Sequence, residues 1–320
     1  VIGDKNYLLP ITAVPITMSK GVHRFAVFVA CATFFLIIAG ANVTSHDAGL
    51  ATSDWPLSNG QVFPRMVGNL FWEHGHRMVA TAVGVLTIVL AFYLQFREPR
   101  TWVKRLGWGA LGAVIAQGLL GGLTVKLNLP LIVSAAHATL AQLFFLITVS
   151  IAVFTSKRWI DSEPLQQLAA GPPVRALCVF SLAIILTQLV LGATLRHSAT
   201  WDQELPTPLL VAHICGAVLV TLVLATTIAS VALRFRGENY LVRPASIAAV
   251  LLVVQLGLGL GAYVTRMRSP SDPQPLTPMV AITVAHVACG ALVFAATIVL
   301  TLRVFRLVRA DQSEYRLAPA

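Results

Sequence analysis

Leu205 to Leu233 reads LPTPLLVAHICGAVLVTLVLATTIASVAL, with no charged side chain and one histidine, His213. About 20 apolar residues in helical form cross the ~30 Å hydrocarbon layer of a bilayer, so this stretch is long enough to span one. In hydrocarbon the backbone must satisfy its own polar groups, and a crossing barrel strand would be about half as long and alternate in polarity. The stretch is therefore expected to be a transmembrane helix. The same holds for Phe25–Val43, Met78–Phe96, Leu106–Val125, Leu131–Ser156, Ala176–Leu195, Pro244–Thr265 and Leu276–Leu302, none of which contains Lys, Arg, Asp or Glu. The expected fold is all-α and integral to a membrane, with eight transmembrane helices.

Composition agrees. Charged residues make up 11% of the 320-residue chain, against about 25% in a soluble globular protein. The net charge of +10 could suggest a nucleic-acid partner, but the charges follow topology instead. With the N-terminus placed in the cytoplasm, Arg65, Arg77, Lys126, Arg196, Arg266 and Arg268 lie on the outer side, and every other Lys and Arg of the 23 lies on the inner side. This is the positive-inside bias, and it puts both termini in the cytoplasm. The four cysteines, Cys31, Cys178, Cys215 and Cys289, fall within spans and read as small apolar core residues rather than a disulfide framework. No cleavable signal is expected, because the first apolar run is long enough to remain as a helix. Met18, just before the basic Lys20 and Arg24, is an alternative native start.

The spans repeat. The third, fifth and seventh carry Gln117-x-x-x-Gly121, Gln188-x-x-x-Gly192 and Gln255-x-x-x-Gly259, and the first has Leu36-x-x-x-Gly40 in the matching place. A Thr or Arg follows each: Thr44, Thr124, Thr194 with Arg196, and Thr265 with Arg266. The even spans each place a histidine early, at His76, His137, His213 and His286, the last three after an alanine. The chain thus reads as a helix pair, glycine-bearing span then histidine-bearing span, repeated four times, or as an N-terminal half, 1–160, and a C-terminal half, 161–320, joined by the polar segment Asp161 to Pro173. Four helices per half preserve orientation, so the halves are expected to be pseudo-symmetric, parallel four-helix bundles. The Gly and Ala content permits close helix packing and would also let a flat macrocycle approach the backbone.

Ionisable groups within a membrane are costly and usually line a site. Four histidines at equivalent positions enter from the outer side at similar depth, and two imidazoles per half could face each other across a bundle. Imidazole binds iron well, and axial histidine commonly holds haem. Zinc would want a tight tetrahedral cluster with added Cys or carboxylate, and only one carboxylate accompanies the set. It is Glu73, in Glu73-His74-Gly75-His76-Arg77. Positions i and i+3 share a helix face, so Glu73 and His76 point to one region, whereas His74 points away and reads as a surface or packing residue. An acid beside one histidine suggests proton chemistry or stabilisation of a cation; a carboxylate favoured by the helix N-terminus is the plainer alternative. The loop 46–72, rich in Gly, Pro, Trp and Asp, is long enough to be functional and covers the half that holds Glu73, as a lid or a quinone or partner surface. Arg77, Arg196 and Arg266 lie near the same ends, as partners for haem propionates or as interfacial anchors.

Together these residues resemble the haem A synthase family. The carriers are Glu73-x-x-His76-Arg77, the single histidines of the fourth, sixth and eighth spans, the loop elements Asp54-Trp55-Pro56-Leu57 and Asn59-Gly60, and Gln117-Gly-Leu-Leu-Gly121-Gly-Leu-Thr124-Val125. The likeness runs from about Gly21 to Arg309. It implies a membrane oxidoreductase of haem biosynthesis that oxidises a ring methyl of haem O to a formyl group through successive hydroxylations, giving haem A for terminal oxidases. By matching positions, His76 and His137 would flank the substrate haem O, His213 and His286 would ligate a haem b that relays electrons, and Glu73 would be the essential acid. The setting implied is the bacterial cytoplasmic membrane, with haem O synthase and a terminal oxidase as partners, an unspecified electron donor or acceptor, and no nucleic acid. One departure stands out: many bacterial members carry two cysteines flanking the loop Trp-Pro, where this chain has Thr52 and Ser58, so no thiol chemistry is available there. The alternatives are a di-haem b-type membrane cytochrome passing electrons to or from quinone, and a haem-binding transport or assembly protein without turnover. Both would use the same histidines and neither requires Glu73.

Overall fold

Each apolar run closes its own backbone hydrogen bonds as a helix. The structure, a computed structural model, describes residues 20–165, 173–198, 204–268 and 276–308. Met18, Arg309 and most of the joining segment lie outside the described residues. Within them the helices are α1 Lys20–Ser45, α2 Asn69–Arg97, α3 Thr101–Lys126, α4 Leu131–Phe154, the short α5 Lys157–Asp161, α6 Val174–His197, α7 Thr207–Arg234, α8 Asn239–Arg268 and α9 Thr277–Leu307. All but α5 are long and apolar enough to cross a membrane, which gives the eight spans expected. No strand forms among the described residues; the single bridge, Ser58 to Gln61, closes a loop turn.

The hydroxyls inside the spans are satisfied without breaking the helices. Thr33, Thr87, Thr297 and Thr301 each donate to the carbonyl four residues back, at 2.7–2.8 Å, so these buried groups cost little in hydrocarbon. Ser181 and Thr227 share a buried hydrogen bond of 2.9 Å that ties α6 to α7, the kind of polar link that holds helices together where lipid removes the hydrophobic drive. Proline sits in the first turns of α7 and α9, where its missing N–H removes no intrahelical bond.

Helices α1 to α4 pack in sequence, with α1 returning against α4; α6 to α9 do the same, with α6 returning against α9. The two groups meet where α1 touches α9 and where α4 touches α6 and α9. This explains why α4 and α9 are the most buried spans. One apolar core, around Val22, Val29, Leu90, Leu94, Phe144 and Ile151, fills the first group. Two more, around Leu241 and Leu300 and around Leu224 and Phe294, fill the second. A fourth seals the meeting surface with Ile37, Phe145, Ala291 and Ala295. Cys178 and Cys289 are buried as expected, whereas Cys31 and Cys215 are exposed on their helix faces; all four are free thiols.

On the basic side, Glu98 is fully buried and holds Arg100 at 2.6 and 3.0 Å, while Arg100 also donates to the Phe154 carbonyl at 2.8 Å. Arg158 and Arg303 lie against the Tyr240 ring at 4.6 and 4.1 Å. These contacts fix the ends of the helices opposite the histidines.

Candidate functional site

Four histidines stand in one structural pattern. A Cβ added to Gly40 would lie 3.1 Å from Cε1 of His76; at Gly121, 3.1 Å from Cε1 of His137; at Gly192, 2.9 Å from Cε1 of His213; and at Gly259, 3.0 Å from Cε1 of His286. In each case the preceding helix offers a bare backbone and the imidazole presses its Cε1 edge into it. Any larger residue would push the ring away, so these glycines set how each imidazole sits. The pairing of spans inferred from the repeated Gly and His positions is therefore a physical contact.

Three of the four imidazoles also have a glutamine. Gln117 Nε2 donates to the His137 carbonyl at 3.0 Å and lies 3.4 Å from Nε2 of the ring. Gln188 Nε2 donates to the His213 carbonyl at 2.9 Å and lies 3.1 Å from Nδ1. Gln255 Nε2 lies 3.3 Å from Nε2 of His286. The first span has Leu36 at this position, and it packs with the apolar core instead.

The arrangement suits a metal macrocycle. The rings of His213 and His286 stand at 73° to each other, one edge-on to the other, with centroids 6.4 Å apart. Two metal–nitrogen bonds of about 2 Å each, with half the width of each ring, span about that distance. Nδ1 of His76, His137 and His286 is buried without a hydrogen-bond partner among the described residues, and buried polar atoms usually have one. Among the described residues no group of three or more His, Cys, Asp or Glu side chains converges, so a tetrahedral side-chain site has no ligand set. The donors that the C-terminal half brings together are two imidazoles, which suits axial haem ligation.

Over the N-terminal half, the loop after α1 is tied down at many points. Ser58 and Gln61 exchange hydrogen bonds of 3.1 and 3.0 Å around Asn59 and Gly60, whose φ values of 53° and 71° are both left-handed. This is the two-residue turn that Asn-Gly favours. Glu73, 4% exposed, accepts from the Thr52 backbone N–H at 3.0 Å through one carboxylate oxygen and pairs with Arg77 through the other. Arg77 in turn donates to the carbonyls of Asp54 at 2.8 Å and Leu57 at 2.6 Å and to Ser58 Oγ at 3.2 Å. Lys126 reaches the Ser53 carbonyl at 3.1 Å, and the Trp55 ring lies so close to Gly122 that a Cβ there would come within 2.7 Å of it.

The structure brings Glu73 and Arg77 together with the loop, a role for Arg77 that its charge alone did not reveal. Arg196 donates to the Thr44 carbonyl, linking α6 to the end of α1, and Arg266 lies near the end of α8. His74 is not on the surface: it is buried and meets Ser58 Oγ at 2.8 Å through Nδ1. Thr52 and Ser58 are both buried hydrogen-bonding groups of the loop. The glutamines were visible in the sequence as a repeated pattern, but their histidine partners lie on other helices and carry no local signal.

The COX15-CtaA family model, described as cytochrome oxidase assembly protein, matches residues 65–203. A protein of Symbiobacterium thermophilum named Heme A synthase is 30% identical over 243 residues, covering 70% of this chain and 79% of that protein. A Heme A synthase of Shouchella clausii is 27% identical over 271 residues, covering 78% of this chain and 88% of its own length. A third, from a Caulobacter species, is 34% identical over 119 residues, about a third of each chain.

Proposed function

This chain belongs to the haem A synthase family, and from that premise we propose a role for each residue of the site in converting haem O to haem A. The protein is a multi-pass membrane enzyme, an oxidoreductase of haem biosynthesis acting on haem O. The halves 1–160 and 161–320 are repeats that each hold one haem. His76 and His137 flank the substrate, haem O, in the N-terminal half. His213 and His286 hold haem b in the C-terminal half. The carrying observation is the imidazole pair of that half, 6.4 Å apart, with each ring wedged against a glycine.

Haem b, when bound, supplies one-electron transfer. The chain's own residues do the rest. Turning a methyl into a formyl group replaces hydrogens on that carbon by one oxygen atom, so protons leave the carbon and the substrate site needs a group to accept them. Glu73 is that acceptor: it is the carboxylate that shares a helix face with His76, and Arg77 and the Thr52 N–H fix its orientation. Such preorganisation lets a general base act without moving. The loop closes the site from outside and keeps bulk water away, which strengthens the electrostatics beneath it. Arg77, Arg196 and Arg266 ring the outer ends, where propionates would lie. The membrane is the bacterial cytoplasmic membrane with both termini inside, the product serves a terminal oxidase, and haem O synthase supplies the substrate.

A di-haem cytochrome would use the same imidazoles but would have no use for the clamped Glu73. The test is to co-express the chain with a haem O synthase, extract the haems and separate them chromatographically. Haem A is expected only when this chain is present. Bound haem b without conversion of haem O, in a folded protein given reductant and oxygen, would replace this assignment with the cytochrome.

A further inference from the structure

We propose that the loop segment Val62–Val67 is seated in the bilayer leaflet on its own side of the membrane, so that one flank of the loop over Glu73 is held by lipid instead of facing water. This needs the membrane spans and none of the haem assignments.

The segment reads Val62-Phe63-Pro64-Arg65-Met66-Val67, with one charge and no carboxylate. Val62, Phe63, Met66 and Val67 are all exposed, and so is Phe71 in the first turn of α2. Phe63 is 78% exposed, as much as Phe96 at the opposite end of α2. An apolar surface this open marks a contact with protein or with membrane, and its position against α2 favours membrane. Phe71, Met78, Val85 and Phe92 recur every seven residues, and all four are exposed. Seven residues make nearly two helical turns, so these side chains form one stripe along α2. The stripe runs the length of a membrane span and therefore faces lipid.

The loop descends onto the same side. A Cβ on Gly75 would lie 3.8 Å from the Met66 methyl. Gly75 follows Phe71 by four residues and precedes Met78 by three, spacings that share a helix face, so Met66 meets α2 beside the stripe. Gly75 is six residues beyond Asn69, the first residue of α2, which is about 9 Å along the axis at about 1.5 Å per residue. It adjoins His76, so the Met66 methyl reaches the depth of that histidine. An apolar segment beside a lipid-facing stripe, below the outer end of a span, is surrounded by the boundary between headgroups and acyl chains. Interfacial segments bury apolar side chains about 5–10 Å into that boundary. Arg65 suits the same place, because its stem can lie in apolar surroundings while its guanidinium stays among lipid phosphates.

The loop thus straddles the outer end of α2. On one side of Phe71, Ser58 meets His74 and the Leu57 carbonyl accepts from Arg77. On the other, Met66 lies against Gly75. The first set of contacts is polar and runs to the Glu73 clamp; the second is apolar and joins the lipid-facing surface.

The test is spin-label depth in the full chain, reconstituted in nanodiscs of phosphatidylethanolamine and phosphatidylglycerol. Cys31→Ala and Cys215→Ala remove the two exposed thiols, and Phe63→Cys, Val67→Cys or Met78→Cys then carries the nitroxide. Collisions with oxygen, which concentrates in the bilayer, are measured against collisions with a water-soluble nickel chelate. Met78→Cys supplies the lipid reference and free label in buffer the water reference. Labels at 63 and 67 should both give an oxygen-to-chelate ratio close to that at 78. A ratio at either position nearer to that of free label would place the segment in water and overturn the proposal. Shielding from both reagents would also overturn it, since the segment would then be covered by protein. Helix content by circular dichroism checks each folded variant, and Val62→Cys stands in for a position whose variant fails that check.

Discussion

Gly192 and His213 are matched so closely that a methyl group on the glycine would lie 2.9 Å from Cε1 of the imidazole. Real side chains do not approach so near, so the ring would have to move. Gly192→Ala should cause a severalfold loss of co-purifying haem and weaken the low-spin bis-imidazole absorbance. In a helix interior Ala is intrinsically better than Gly by about 1 kcal/mol, so loss of haem without loss of helix content identifies the contact as the cause. Gly257→Ala, where a Cβ meets nothing within 4 Å, serves as the control and should keep its haem. Equal haem content in both variants would sink the idea that Gly192 seats the ring.

Glu73 should separate catalysis from haem binding. Replacing it with Ala removes the partner of Arg77 and leaves the Thr52 N–H without its acceptor; a buried donor left unsatisfied costs about 1–3 kcal/mol. Haem A formation should fall below detection while haem b stays bound at His213 and His286. Haem extraction and a reduced-minus-oxidised spectrum of the same sample read both outcomes. Full haem A production by Glu73→Ala would remove Glu73 from the mechanism.

The spans and histidines were legible in the sequence because both signals are one-dimensional. Uncharged runs such as Leu205–Leu233 declare a membrane helix by length, and four histidines at matching places in alternate spans declare a repeat. The loop was legible only as a loop. Its hold on Glu73 runs through the backbone N–H of Thr52 and the carbonyls of Asp54 and Leu57, groups that every residue possesses and that leave no mark in composition. His74 was placed by helical angle alone, which faces it away from His76 but cannot show that Ser58 of the folded-back loop covers it. The short α5 escaped for another reason: at five residues it has no periodicity, and only Ser156, which accepts from the Trp159 N–H at 3.2 Å, marks its start.

Arg77→Lys tests whether the loop is held by the fork of the guanidinium or by charge alone. Lysine keeps the charge but cannot reach two carbonyls, a hydroxyl and a carboxylate together. The loop should open more often, by roughly tenfold for each 1.4 kcal/mol lost. Arg65, exposed on that loop, reports it: tryptic cleavage after Arg65 in detergent-solubilised protein, quantified by mass spectrometry, should accelerate by about that factor. A cleavage rate equal to wild type would mean that the other anchors hold the loop without Arg77.

Gly122→Ala approaches the same loop from beneath. The added Cβ would fall within 2.7 Å of two atoms of the Trp55 indole, a rigid ring that cannot swing only its tip aside. Overpacking of this kind costs about 1–3 kcal/mol, which the loop can relieve by lifting Trp55 off α3. Lifting would strain the neighbouring contacts, Lys126 to the Ser53 carbonyl and Arg77 to the Asp54 carbonyl, so the clamp on Glu73 should loosen with it. The expected result is faster cleavage after Arg65 and reduced haem A formation, with haem b content unchanged because the C-terminal half is untouched. Gly118→Ala, one turn earlier with open space at its Cβ, should behave as wild type in all three measurements. If Gly122→Ala opens the loop yet haem A forms at the normal rate, the loop is a cover that catalysis does not need; if haem A falls while cleavage stays slow, Trp55 acts on the substrate site directly rather than through the loop.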